Sequence, residues 1–266
     1  MLGISRSIYY RIPTQPHSEK IKDEKAVIHC FEENDGRYGR IRIRKALRFC
    51  GINISEYRIS RILKANGLFA KAGRRKKSTK PRPTEQQYIE ENLIWDKFSV
   101  DIPNSLWCSD ITEIKYKNGK LYVCGVIDAA TRRIVGWSIS RNPTQKLVQE
   151  AFKMAAGRNP IIPENAIYHS DRGCQYTAKA TKKLIAEYGF RKSMSRPGTP
   201  SDNQPIESFW NTLETELGSL KQYTYEEAER RIVEYIELYY NTDRLHSGIG
   251  YRTPNEVFTL LSVRIT

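Results

Sequence analysis

The sequence predicts an α/β protein: a mixed five-stranded sheet flanked by helices, preceded by a small all-α domain. Three observations predict it. Leu106 to Ser140 reads as three consecutive strands. Beyond it, short apolar runs alternate with stretches of helical periodicity. The charge is also divided. Residues 1–83 hold 21 Lys/Arg against 7 Asp/Glu, whereas residues 84–266 hold 23 of each, so the whole formal excess of +14 lies in the first third. A basic end on a neutral body suits a polyanion partner, most simply nucleic acid. A merely solvated basic face is the bland alternative.

Taken in order, residues 1–16 are short and broken by Pro13 and Pro16. Ser18 to Glu33 has helical spacing, and Asp35-Gly36 ends it. A second segment, Tyr38 to Cys50, sets Ile41, Ile43, Ala46, Leu47 and Phe49 among five basic residues. Ser55 is a good N-cap for a helix over Glu56–Asn66, and Gly67 a good residue to end it. Ile59, Ile62 and Leu63 give that helix an apolar face, while Arg58, Arg61 and Lys64 fall on its polar face. Two helices joined by a Gly turn fit a helix-turn-helix; a helical interaction module with no DNA role fits too. Lys71 to Arg82 is basic without an apolar face and reads as a linker able to lie along phosphates, Arg74, Arg75, Lys76 and Lys77 foremost. Leu93, Ile94, Trp95 and Phe98 would anchor its far end.

The first strand, Leu106–Tyr116, is rich in β-branched and aromatic residues. Asn118-Gly119 is a hairpin signal, because both central positions of such a turn need positive φ. Leu121–Ile127 and Ile134–Ile139 are the second and third strands. A helix over Thr144–Ala156 follows, then a strand at Ala166–His169, a helix over Thr177–Tyr188 closed by Gly189, and a strand at Phe190–Met194. A loop marked by Pro197, Gly198 and Pro200 leads to a helix from about Asp202, with Pro205 in its first turn. Thr224 and Glu227 have capping-box spacing for a further helix, and a last one begins at Pro254. The order βββαβαβα is that of the ribonuclease H-like fold. The expected divisions are 1–70, 71–101 (linker), 102–218 (core) and 219–266 (helical extension).

No uncharged apolar run reaches the ~18 residues of a membrane span, and the N-terminus lacks an apolar signal segment. The five cysteines form no CxxC pair, so neither a zinc site nor a disulfide framework is expected. Buried free thiols would suit the cytoplasm.

Three carboxylates stand out. Asp110 lies inside an apolar strand, where an unpaired acid is costly. Asp171 follows the fourth strand directly, and Glu207 lies on the helix after the fifth, with 35 residues between it and Asp171. In the expected fold the first and fourth strands are neighbours, so the three acids would converge. Clustered carboxylates repel and call for a cation. Oxygen ligands suit Mg²⁺, and a pair of ions can activate one oxygen and stabilise another in phosphodiester chemistry.

Several segments together give the chain a specific resemblance: Trp107-Cys108-Ser109-Asp110-Ile111-Thr112, His169-Ser170-Asp171-Arg172-Gly173-Cys174-Gln175-Tyr176, Ser193-Met194-Ser195-Arg196, Asp202-Asn203, Glu207-Ser208-Phe209-Trp210, and Tyr240-Asn241 through Arg244-Leu245-His246-Ser247 to Gly250-Tyr251. The chain resembles the catalytic second-frame protein (OrfB) of bacterial insertion-sequence transposases, relatives of the retroviral integrases. The resemblance implies that Asp110, Asp171 and Glu207 are a DDE triad holding two Mg²⁺ ions, with Mn²⁺ a substitute. It implies end cleavage by water and strand transfer by the freed 3′-hydroxyl. It also implies element-end and target DNA as partners, a first-frame (OrfA) product or fusion, and a homo-oligomer on DNA in the cytoplasm, with no membrane. Arg172, Arg196 and Arg244, which stand in the quoted motifs, join the expected DNA contacts.

Two positions depart from the family pattern. Glu214 occupies a place seven after Glu207 that is usually basic; either Lys221 or Lys192 compensates, or the grip on DNA at the active site is weak. Gln204-Pro205-Ile206 replaces small residues. His169 is either a proton shuttle or a packing or phosphate-contact residue, and His246 with Arg244 would organise the C-terminal loop near the site. The alternative from another class is a non-catalytic element-end binder or repressor.

Overall fold

The computed structural model describes residues 17–71, 91–94, 98, 100–196 and 199–263. The chain divides into two compact units, Met1–Ala72 and Gly73–Thr266.

The first unit contains α1 (His17–Glu33), α2 (Arg40–Phe49) and α3 (Glu56–Ala65). Val27, Phe31, Ile43, Leu47, Ile59 and Leu63 form its core. The Ser55 hydroxyl accepts from the Arg58 N–H at 3.3 Å, which satisfies a donor at the start of α3. Gly67, at φ +65°, supplies the left-handed residue just beyond it.

The second unit is built on β1 (Leu106–Tyr116), β2 (Gly119–Asp128), β3 (Ile134–Ser140), β4 (Ile167–Ser170) and β5 (Arg191–Met194). Their spatial order is β3-β2-β1-β4-β5. The β1–β2 and β2–β3 pairs are antiparallel, and β1–β4 and β4–β5 are parallel. The helices are α4 (Gln145–Arg158), α5 (Cys174–Thr177), α6 (Lys179–Glu187), α7 (Gln204–Leu217), α8 (Tyr225–Glu234), continued by a π-helical turn over Tyr235–Tyr240, and α9 (Pro254–Ser262). This is the expected mixed, ribonuclease H-like sheet.

Alternation along the strands sorts the side chains into two layers. Trp107, Val126, Val135 and Tyr168 pack with Phe152 of α4 and Ile185 of α6. Leu106, Cys108, Leu121 and Val123 pack on the other face with Ile206, Phe209, Trp210 and Leu213 of α7 and Ile232 of α8. Two glycines permit close approach. A Cβ at Gly136 would stand 2.3 Å from the Ala151 carbonyl oxygen, so α4 rests directly on β3. A Cβ at Gly125 would stand 2.9 Å from Trp210 Cη2 and 3.2 Å from Ile206 Cδ1. A larger residue there would hold α7 away from β2.

Several expectations need correction. The hairpin loop is Lys117-Asn118, because Tyr116 pairs with Gly119, and Gly119 opens β2 without positive φ. The Lys117 N–H donates to Tyr223 O at 3.0 Å, so the turn is shaped by the C-terminal segment and not by an Asn-Gly preference. The helix expected over Thr177–Tyr188 is two pieces, broken at Ala178 with φ −55° and ψ +133°; the break lets α5 set Tyr176 into the core while α6 buries Thr181 and Ile185. The helix from Thr224 keeps its capping box, but its last six residues widen to π geometry, which turns Tyr235, Ile236 and Tyr240 inward together. Ile94 and Phe98 pack in the core, while Trp95 lies outside the described residues, as do Pro197 and Gly198 of the expected loop. Cys50 and Cys174 are exposed, not buried.

Candidate active site

The β1–β4 register ends with Ser109 opposite Ser170. The next residues along these parallel strands are Asp110 and Asp171, so two acids 61 positions apart come side by side, Asp110 still within β1 and Asp171 just past the end of β4. By strand parity Asp110 shares the face of Cys108, and Asp171 that of His169; this is the face covered by α7. Glu207 lies in the first turn of α7, one turn before Trp210, and the Trp210 indole N–H donates to Asp110 Oδ2 at 3.0 Å. The start of α7 is fixed over β1 by Asn203, whose amide donates to Ser109 O at 2.9 Å.

The three acids bear on one another electrostatically. Burial, then the charges of Asp171 and Glu207, push the Asp110 carboxyl up to about 7, against the opposing hydrogen bonds from Ile111 N–H and Trp210. Burial also raises Asp171, opposed by the Gly173 N–H and the charge of Lys192. The Gly173 N–H reaches Asp171 Oδ1 at 2.9 Å. Among the described residues no three His, Cys, Asp or Glu side chains form a ready-made metal cage. Each aspartate turns one oxygen to a local donor, Asp110 to the Trp210 indole and Asp171 to the Gly173 N–H. An all-oxygen donor set with excess negative charge in a buried setting is nevertheless what a hard divalent cation such as Mg²⁺ takes, so the residues fit such an ion.

The surroundings of the acids hold the sheet ends rigid. His169 is buried, with Nδ1 2.8 Å from Ser193 Oγ and Nε2 3.0 Å from Ser195 Oγ. Burial brings its pKa down to about 4. It is a neutral packing residue bridging β4 to the end of β5. Buried Asp202 accepts from Asn92 Nδ2 at 3.0 Å and from Arg196 N, Nε and Nη2 at 2.8, 2.9 and 2.7 Å. It staples the residues after β5 to the chain entering the core. Beneath the acids, the Ser109 and Tyr176 hydroxyls lie 3.0 Å apart.

The expected DNA contacts are scattered. Arg61 and Lys64 are exposed on α3, while Arg58 pairs with Asp23 at 2.9 Å. Arg172 Nε donates to Ser195 O at 2.7 Å. Arg196 is held by Asp202. Arg74, Arg75, Lys76 and Lys77 lie outside the described residues. Arg244 does not belong with them: it is 3% exposed and its guanidinium is bound to buried Glu216, so it cannot reach a phosphate. Glu214 is exposed on α7. Of the two lysines expected to offset it, Lys192 acts on Asp171; its ammonium donates to Tyr176 O. His246 Nδ1 accepts from the Gly248 N–H at 3.1 Å, a contact within the C-terminal loop, while Arg244, its expected companion there, is bound to Glu216.

Three features escaped the sequence reading: the Trp210–Asp110 bond, the Asp202 staple and the Glu216–Arg244 pair. A buried indole usually finds an acceptor for its N–H, and that was the available signal for Trp210.

Fold and site together define a polynucleotidyl transferase with an integrase-type core. Two family models described as Integrase core domain match residues 100–200 and 188–254, and one described as HTH-like domain matches residues 18–77. The transposase for insertion sequence element IS904 of Lactococcus lactis subsp. lactis is 40% identical, covering 90% of this chain and 92% of that one. Transposase InsF for insertion sequence IS3A of Escherichia coli K12 is 33% identical over 96% and 91%. Among solved structures, the HTLV-2 integrase catalytic core in complex with magnesium aligns with a TM-score of 0.45 at 17% identity, over 59% of this chain and 97% of that one. The chain belongs to the insertion-sequence transposases: it is a DDE-type enzyme that acts on DNA, from a family whose core is metal-dependent. Among the described residues no helix is long and apolar enough to cross a membrane.

Proposed function

We propose that Asp110, Asp171 and Glu207 are the catalytic carboxylates of this transposase, holding two Mg²⁺ ions, with Mn²⁺ as substitute, for cleavage at element ends and strand transfer. The observation that carries the assignment is geometric: Asp110 and Asp171 directly follow the last paired residues of the parallel β1–β4 register, and Glu207 stands one turn before the Trp210 that bonds Asp110, which crowds three carboxylates together. Such crowding is unfavourable unless a cation relieves it. Bound ions would activate the attacking oxygen and stabilise the leaving one. The chain's own part is to set Asp110 within β1 and Asp171 just past β4, to cover Asp110 with α7, and to bring DNA to them. Arg61 and Lys64 of α3, the basic run Arg74–Lys77, and Arg172 and Arg196 near the site are the proposed DNA contacts. A first-frame partner or fusion, a homo-oligomer on the DNA and action in the cytoplasm complete the proposal.

The test is end cleavage by Asp110→Asn, Asp171→Asn and Glu207→Gln, with end binding measured in parallel. Each substitution is expected to abolish Mg²⁺-dependent product while binding survives. Retained cleavage in any one would remove that residue from the triad.

A further inference from the structure

Trp210 does more than fill the core. Its indole N–H lies 3.0 Å from Asp110 Oδ2. Its ring is 4% exposed, tilted against Phe209 with centroids 4.8 Å apart, and closed in by Gly125, where any Cβ would meet Trp210 Cη2 and Cζ2 at 2.9 and 3.0 Å. The indole has no room to swing. Asp110 and Gly125 are opposed residues of β1 and β2, so one strand pair supplies both the acid and the gap that seats its donor. The same helix carries Glu207 one turn earlier. Trp210 thus ties the rotation of the Asp110 carboxylate to the register of the helix that brings Glu207.

We propose that Trp210 is a positioning residue for the metal site: its N–H holds Asp110 Oδ2 and thereby fixes the carboxylate orientation that receives the cation. The proposal rests on the reading of Asp110 as a metal ligand. Donors that orient a ligand commonly change metal affinity by ~10–100-fold when lost. A residue that merely packs would change stability and leave affinity alone.

The experiment uses full-length protein without DNA and follows Mn²⁺ binding by the loss of the free-ion paramagnetic signal. Trp210→Phe and Trp210→3-benzothienylalanine are compared with the parent and with Asp110→Asn. The benzothienyl side chain keeps the shape of indole and replaces only its N–H, so it reports even where the Phe variant folds poorly. Both Trp210 variants are expected to bind Mn²⁺ ~10-fold more weakly. Their end cleavage should need correspondingly more Mg²⁺ and recover near the parental rate at saturation. Parental Mn²⁺ affinity in the benzothienyl variant, with affinity lost in Asp110→Asn, would overturn the positioning role alone. Undiminished affinity in Asp110→Asn itself would overturn the ligand assignment beneath it.

Discussion

Arg244 and Glu216 meet in a buried two-point pair. Arg244 Nε lies 3.0 Å from both carboxylate oxygens of Glu216, and Nη2 lies 2.9 Å from Oε1. Tyr235 Oη donates to Oε2 at 2.8 Å. Burial opposes the Arg244 charge, but Glu216 holds its pKa above the ordinary value. The pair joins the end of α7 to the segment after the π turn. Arg244→Ala would strand a buried carboxylate, and such losses run to ~3–5 kcal/mol. The expected outcome is a lower urea midpoint with no change in the salt dependence of DNA binding. A changed salt slope would return Arg244 to the DNA surface.

Asp110 is a liability to the metal-free protein. Its folded pKa, up to about 7, lies above the ordinary value of 3.8. The fold therefore favours the protonated form, and stability declines as pH rises from about 4 through about 7. Asp110→Asn should be more stable than the parent at pH 8 in EDTA, by the order of a few kcal/mol, and the gap should narrow at pH 5 and close only below about pH 4. Mg²⁺ should raise the melting temperature of the parent and not of the variant.

His169 gives the opposite slope. Its folded pKa of about 4 lies below the ordinary 6.5, so the unfolded chain takes up the proton first. Stability is then lost as pH falls from about 6.5 towards 4. His169→Asn should lower stability at pH 7 and flatten that acid limb in urea titrations. The pH profile of cleavage should keep its shape, whereas a proton shuttle would distort it.

On α3 the basic residues should separate into two kinds. Arg61→Ala with Lys64→Ala removes two exposed cations, and the log–log salt slope of end binding should fall by ~2. Arg58 is paired with Asp23, both side chains about a quarter exposed or less. Arg58→Ala should show mainly a stability change of ~1 kcal/mol or less.

What the sequence made legible follows from range. Leu106–Tyr116 could be placed to the residue because its own composition demands a strand. Asp110 drew notice because an acid is out of place there. The capping boxes at Thr224 and Thr253 close within four residues, and the one at Thr224 could be read directly. Features set across the fold were not legible. The Lys117-Asn118 turn answers to Tyr223. The burial of Arg244 depends on a partner 28 residues earlier; in the sequence it looks like any other arginine. Trp210 stood out as apolar, while the acceptor of its N–H lay 100 positions away.

The adjacency of β1 and β4, capped by α7, has a consequence for synthesis. Asp110 leaves the ribosome early, but its covering helix is made nearly a hundred residues later. A nascent or prematurely ended chain can thus present the basic helical unit long before it acquires the helix that covers Asp110. Order of manufacture keeps Asp110 uncovered until α7 has been made.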